Sequence, residues 1–248
     1  MKYTKFEDLR HQLNSQIDYQ VAILEHMGGQ HVGMKLECNQ FPLSINEAEF
    51  NYMHNFILEH KLTTGFELST GTGISSIAIA TAFKETGGHL ITVDSHFEEL
   101  KGIHHNIVPV VYEEKDYEDV KTRSNCYKFF QKAIKVMDIA DQVDVVIGWS
   151  PTDTVKAIQA RGNLLDFVFL DCPKSDDEFE RDMSSIEPYL NKDKYVVFVH
   201  DTHCYTTRTD EYVMKLLGKP LARIHEYFHD TEFYSKRHFP LGIITNIR

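Results

Sequence analysis

The sequence predicts an α/β fold: a mostly parallel seven-stranded sheet with helices on both faces and an antiparallel hairpin at its C-terminal end. Three observations carry that reading. An extended entry, Gly65 to Leu68, runs into Ser69-Thr70-Gly71-Thr72-Gly73 and then into Ile74, Ile77, Ala78 and Thr81 at helical spacing, which is a strand, a small-residue turn and a helix. A second apolar strand, Leu90-Ile91-Thr92-Val93, ends in Asp94, about 20 residues after the last glycine of that turn. Two further runs, Leu165 to Leu170 and Tyr195 to Val199, are continuously apolar, as strands buried on both faces of a parallel sheet are, and they lead into Asp171 and Asp201.

Length and composition set the bounds. A chain of 248 residues with 42% hydrophobic content suits one large domain spanning residues 1–248. Its net charge of −11, from 37 acidic against 26 basic residues, argues against a nucleic-acid surface and against binding to anionic membranes. The N-terminus lacks the apolar core of a secretion signal and no apolar run is long enough to span a bilayer, so a soluble, cytoplasmic protein is expected. Cys38, Cys126, Cys172 and Cys204 show no C-x-x-C spacing, which indicates neither a zinc site nor a disulfide framework.

Taken in order, Phe6, Leu9, Leu13, Ile17, Val21 and Leu24 recur at helical spacing behind a capping box of Thr4 and Glu7. This helix opens an N-terminal helical cap over residues 1–60. Its apolar face packs on the core, covers a pocket or makes a homo-oligomer contact. Gly28-Gly29 breaks the chain, and Ser44 with Glu47 opens a helix carrying Phe50, Met53, Phe56 and Ile57 on one face. After Asp94, residues 95–124 are irregular and contain His96, His104, His105 and an acidic stretch, as expected of a lid or a substrate-facing insertion. A helix with Tyr127, Phe130 and Ile134 then leads to the strand Val143 to Ile147 and the turn Gly148-Trp149-Ser150. Ser175, Asp176 and Asp177 open a helix with Phe179, Met183 and Ile186, and another runs from Asp210 to Leu217. The segments 221–228 and 241–247 have no crossover helix between them and must pair antiparallel. Tyr234, Lys236, Arg237 and His238 lie in their connection, a solvated loop or a substrate-facing one.

Gly71 and Gly73 allow turn dihedrals and close approach of a ligand, and Asp94 stands where Rossmann-like units bind a ribose. The spacing is not that of a dinucleotide fingerprint, since Ser76 occupies the place of the third glycine, and the turn has no phosphate-binding lysine. Glu67 would repel a pyrophosphate, so a cationic or zwitterionic ligand fits better.

The arrangement resembles the first motif of class I S-adenosyl-L-methionine-dependent methyltransferases, acidic-x-Gly-x-Gly-x-Gly, with Ser69 in place of the first glycine. The resemblance implies a Rossmann-like class I methyltransferase fold. It also implies that Glu67, Ser69, Gly71, Gly73, Ser75 and Asp94 hold the cofactor, with Trp149 and Ser150 at its adenine and Asp171 close by. Trp149 alternatively packs in the core.

Asp171 with Lys174 three residues on, and Asp201 after the next strand, resembles the metal-dependent small-molecule O-methyltransferases of the catechol and caffeoyl-coenzyme A type and their macrocin- and cephalosporin-modifying relatives. The likeness covers roughly residues 40–248. In that family the residues matching Asp171 and Asp201 hold magnesium (Mg2+), and the one matching Lys174 takes the substrate's proton. The catechol type has Asn where this chain has Thr202, and macrocin-type relatives have an acid where it has His200, so His200 and Thr202 are candidate ligands. Two carboxylates on rigid strand ends would leave positions for two substrate oxygens, and an imidazole at His200 would shift preference from magnesium toward manganese (Mn2+), iron or zinc. Alternatively Asp171 caps the following helix, His200 pairs with Asp201, and Lys174 is a solvated cation. The functions implied are methyl transfer to an oxygen of a small molecule, a metal-independent N- or protein methyltransferase using Asp171 and His200 as acid and base, or a non-catalytic cofactor-binding domain.

Overall fold

The computed structural model describes residues 45, 47–71, 73–95, 125–171, 173, 175–224 and 241–247. The expected first helix, the 95–124 insertion beyond Ser95, Lys174 and the 225–240 connection lie outside these residues.

Seven strands form one sheet in the order β3-β2-β1-β4-β5-β7-β6. They are β1 (Thr64–Leu68), β2 (His89–Asp94), β3 (Val143–Ile147), β4 (Phe167–Leu170), β5 (Val196–Val199), β6 (Ala222–Ile224) and β7 (Leu241–Thr245). The first five pair parallel, β7 runs antiparallel to β5, and β6 runs antiparallel to β7. This is the architecture expected, including the hairpin. The helices are α1 (Glu47–His60), α2 (Ile74–Thr86), α3 (Asn125–Val136), α4 (Thr152–Arg161), α5 (Asp176–Ile186) and α6 (Thr207–Leu217). Among the described residues no helix is long and apolar enough to cross a membrane.

Strand alternation divides the core in two. Phe167, Phe169, Val196 and Phe198 face α1, α2 and α3, where Phe50, Met53, Ile57, Ile77, Phe83 and Phe130 complete one apolar layer. Val168, Leu170, Val197 and Val199 face the other way, with Phe66 and Leu68, onto α4, α5 and α6 through Ile158, Phe179, Met183 and Val213. A fully buried side chain of this size contributes about 1.5–3 kcal/mol, so the two layers fix the strands rigidly.

Helix α4 has no counterpart in the sequence reading. Its segment, TDTVKAIQAR, buries only Thr154 and Ile158, so it lacks an apolar stripe wide enough to signal a helix. The start of α5 corrects one alternative: the side chain of Ser175, not Asp171, accepts the Glu178 N–H.

Candidate active site

The chain leaves β1 toward β2 and β3, then returns to β4 on the other side of β1, so the β1/β4 junction is where the direction of winding reverses. Ligands of open α/β sheets bind outside the carboxyl ends of the strands at such a point. Backbone pairing continues one residue past the strands there: Ser69 N–H donates to the Val93 carbonyl (2.9 Å), Asp171 N–H to that of Leu68 (3.1 Å), and His200 N–H to that of Leu170 (2.9 Å). The residues that follow β1, β4 and β5 therefore stand along one edge.

The turn after β1 takes left-handed dihedrals at Ser69 (φ 78°), Gly71 (φ 55°) and Gly73 (φ 83°). At Gly73 a side chain is excluded twice over, because a Cβ there would also lie 2.0 Å from the Phe130 ring of α3. Ser69 adopts the same region with a Cβ, a strain of the kind that collects at functional turns. The Gly71 N–H donates to Asp94 Oδ2 at 2.7 Å, which locks the turn to the end of β2. Asp94 closes β2, as its sequence position led us to expect, and is buried.

Glu67 lies beneath this turn, fully buried. Its carboxylate accepts from Ser75 Oγ (2.5 Å), Thr92 Oγ1 (2.6 Å) and Ser76 Oγ. Burial raises its pKa to about 7 against the pull of those three hydroxyls, and the negative Asp171 adds to the rise. Glu67 and Ser75 are thus joined to each other and hold the turn to α2 and β2. Ser76 and Thr92 were not singled out from the sequence. The signal was a hydroxyl pair in the first turn of a helix facing a strand-end carboxylate.

Beyond β3, Trp149 is 65% exposed, which overturns the alternative of a core tryptophan. Its backbone N–H donates to Asp153 Oδ2 (2.9 Å), so the start of α4 holds the turn while the indole stays free of the core. The Ser150 hydroxyl donates to Asp182 Oδ1 (2.8 Å), a fully buried carboxylate on α5 that also accepts from Arg181.

The densest electrostatics lie past β4 and β5. His200 Nδ1 is 2.9 Å from Asp171 Oδ1 and 3.5 Å from Asp201 Oδ1, while its Nε2 is 3.4 Å from Glu49 Oε1 on α1. His200 thus pairs more closely with Asp171 than with Asp201. Burial disfavours a charged imidazole, but Asp171 and Glu49 outweigh it and hold the His200 pKa well above the ordinary histidine range. Asp201 takes a left-handed backbone (φ 54°) and leads into a short 3-10 turn, Thr202–Cys204. Thr202 is buried, and its methyl group faces Gly242 of β7.

Asp171, His200 and Asp201 each offer a donor atom within 4.8 Å of the others, among the described residues. Adjacent ligands of a six-coordinate cation held at about 2.1 Å lie about 3 Å apart, so the His200 separations of 2.9 and 3.5 Å fit one ion. The donor set, two carboxylates and an imidazole, suits a divalent cation with further positions left for oxygen ligands. The turn and Asp94 likewise fit a nucleoside-bearing cofactor, with backbone N–H groups and a carboxylate and no cation among the described turn residues.

A doubly wound sheet of this order, with a glycine turn after β1 and a buried acid closing β2, defines a Rossmann-like methyltransferase fold. The chain belongs to a methyltransferase-domain family, whose model matches residues 66–202, from β1 through Thr202. Its fold is similar to that of the O-methyltransferase from Bacillus cereus in complex with SAH, at 10% identity over 96% of each chain with a TM-score of 0.56. It is similar also to the O-methyltransferase TomG of Streptomyces achromogenes, involved in tomaymycin synthesis and bound to SAM, at 13% identity over 99% of this chain and 98% of that one, TM-score 0.58. An SAH-bound methyltransferase of Podospora anserina aligns over 90% of this chain and 86% of its own at 12% identity, TM-score 0.52. At such identities the likeness is one of fold. No curated protein matches the chain by sequence.

Proposed function

We propose that this chain is an S-adenosyl-L-methionine-dependent O-methyltransferase acting on a small-molecule acceptor with a divalent cation, magnesium or manganese. The observation that carries the reading is the convergence of Asp171, His200 and Asp201 on the edge that also holds the Ser69–Gly73 turn. When bound, the cofactor supplies an electrophilic methyl group on a sulfonium and the cation supplies Lewis acidity toward an acceptor hydroxyl.

The residues would divide the work as follows. Asp94 accepts from the ribose hydroxyls, and the turn backbone closes over the methionine part. Glu67, with Ser75, holds that turn from below. Trp149 offers its exposed indole to the adenine, with Ser150 fixed beside it through Asp182. Asp171 and Asp201, with His200, would hold the cation, and Thr202 is buried against Gly242 of β7. Fixed at strand ends, they would orient two acceptor oxygens so that one lies in line with the sulfur–methyl bond, where orientation removes much of the barrier. The acceptor's proton passes to Lys174, the role its position implies by resemblance. Solved O-methyltransferases with SAM or SAH bound and the same fold support the cofactor.

The test is transfer of labelled methyl from S-adenosylmethionine to a panel of phenolic and sugar diols, with and without chelator. Oxygen methylation that stops on chelation and returns with magnesium or manganese is the expected result. Transfer indifferent to chelation would favour the metal-independent reading, for which the close Asp171–His200 pair is an acid and base. Cofactor binding with no transfer to any acceptor would favour a binding domain.

A further inference from the structure

Among the described residues, Glu49 is the carboxylate facing this site that comes from outside the strand ends. It lies on α1, is 1% exposed, and stands on the far side of the His200 ring from Asp171 and Asp201. Burying a carboxylate is costly unless it meets a cation or a donor, and His200 Nε2 stands 3.4 Å from its Oε1. The ring is thereby oriented: Nε2 toward Glu49, Nδ1 toward the two aspartates. In histidine-ligated metal sites the imidazole characteristically donates its remote N–H to a carboxylate, which fixes the tautomer and strengthens the ligating nitrogen. Glu49 and His200 stand in that order relative to the Asp171/Asp201 cluster, with Nε2 at ion-pair distance from Glu49 rather than in a hydrogen bond.

We infer that Glu49 is a positioning residue that presents His200 Nδ1 as a metal ligand, and that the site consequently prefers a first-row transition cation over magnesium. The inference rests on the metal-dependent reading above. Magnesium favours oxygen donors, whereas imidazole suits the later divalent ions. Glu49 itself remains outside the coordination sphere, because the imidazole ring stands between it and the aspartates.

Cobalt(II) and magnesium titrations of the full chain, followed by calorimetry and by the visible spectrum of bound cobalt, test this directly. The wild type should bind cobalt at least about 10-fold more tightly than magnesium. Glu49→Gln should weaken cobalt binding about 10- to 100-fold, shift the cobalt spectrum and lower the cobalt-to-magnesium preference toward that of His200→Asn, with S-adenosylmethionine affinity retained as the control for folding. A purely structural role for Glu49 would weaken both ions alike and leave the preference unchanged, which would overturn the inference while leaving metal dependence intact. A wild type that binds cofactor but neither ion would overturn the metal reading and this inference with it.

Discussion

Strand β4 is flanked by an aspartate at each end, and the two ends behave differently. At the amino end Asp166 accepts the backbone N–H groups of Thr63 (2.8 Å) and Thr64 (2.9 Å), and its own backbone continues the pairing with β1 and β5. Burial raises its pKa while those donors pull it back. At the carboxyl end Asp171 meets a buried histidine, whose Nδ1 also faces Asp201 and whose Nε2 faces Glu49. A buried acid satisfied by the backbone secures the fold. Acids converging on one imidazole instead concentrate like charge, an arrangement that folding alone gives little reason to build and that a cation would stabilise.

The largest effect should follow from removing that charge. Asp171→Asn should lower kcat/KM for methyl transfer by about 1,000-fold or more, equivalent to about 4 kcal/mol, while shifting the unfolding midpoint by no more than about 2 °C. Asp166→Ala should do the reverse. Leaving two part-buried N–H groups without their acceptor should cost about 1–3 kcal/mol in denaturant unfolding, with kcat per folded molecule unchanged. If both variants lost stability and activity together, the two ends of β4 would not be functionally distinct.

Glu67 sharpens the comparison, since it sits at the active edge yet is satisfied from within. Its folded pKa, about 7, is raised above the ordinary 4.5, so the protonated form is favoured in the fold. Its contribution to stability is therefore fully present below pH 4.5 and is lost as pH rises through 7. Relative to Glu67→Gln, the wild type should lose on the order of 2–3 kcal/mol across that window. Parallel unfolding curves of the two proteins at pH 4.5 and 7.5 would show the difference, and a pH-independent gap would mean that Glu67 is not held as described.

Ser69 gives the smallest effect. Its left-handed backbone costs about 1–2 kcal/mol with a Cβ present, partly offset by the entropy that glycine loses on folding. Ser69→Gly should therefore stabilise by about 0.5–1 kcal/mol, read as a rise in denaturation midpoint, with cofactor affinity retained.

The sheet was legible in the sequence because β1, β2, β4 and β5 are short, apolar runs that end in polar turns, and the hairpin because the polar, aromatic sequence between β6 and β7 does not read as a crossover helix. Asp94, Asp171 and Asp201 were legible for the same reason: each stands at or within two residues of the end of an apolar run, where a parallel sheet exposes its carboxyl edge. Glu49 was not. It lies on an amphipathic helix, where a glutamate ordinarily faces water, although its spacing four residues before Met53 places it beside the buried stripe of Phe50, Met53 and Ile57. Helix α4 escaped because it buries two side chains, and the exposure of Trp149 because an apolar ring is a core residue by composition alone.

The central claim is that the Ser69–Gly73 turn and Asp94 bind S-adenosylmethionine, and calorimetric titration of the wild type against Asp94→Ala tests it most directly. The account predicts saturable one-site binding by the wild type, weakened about 10- to 100-fold by the loss of hydrogen bonds to a charged acceptor in the variant. A wild type that takes up no cofactor, or a variant that binds it equally well, would contradict the account.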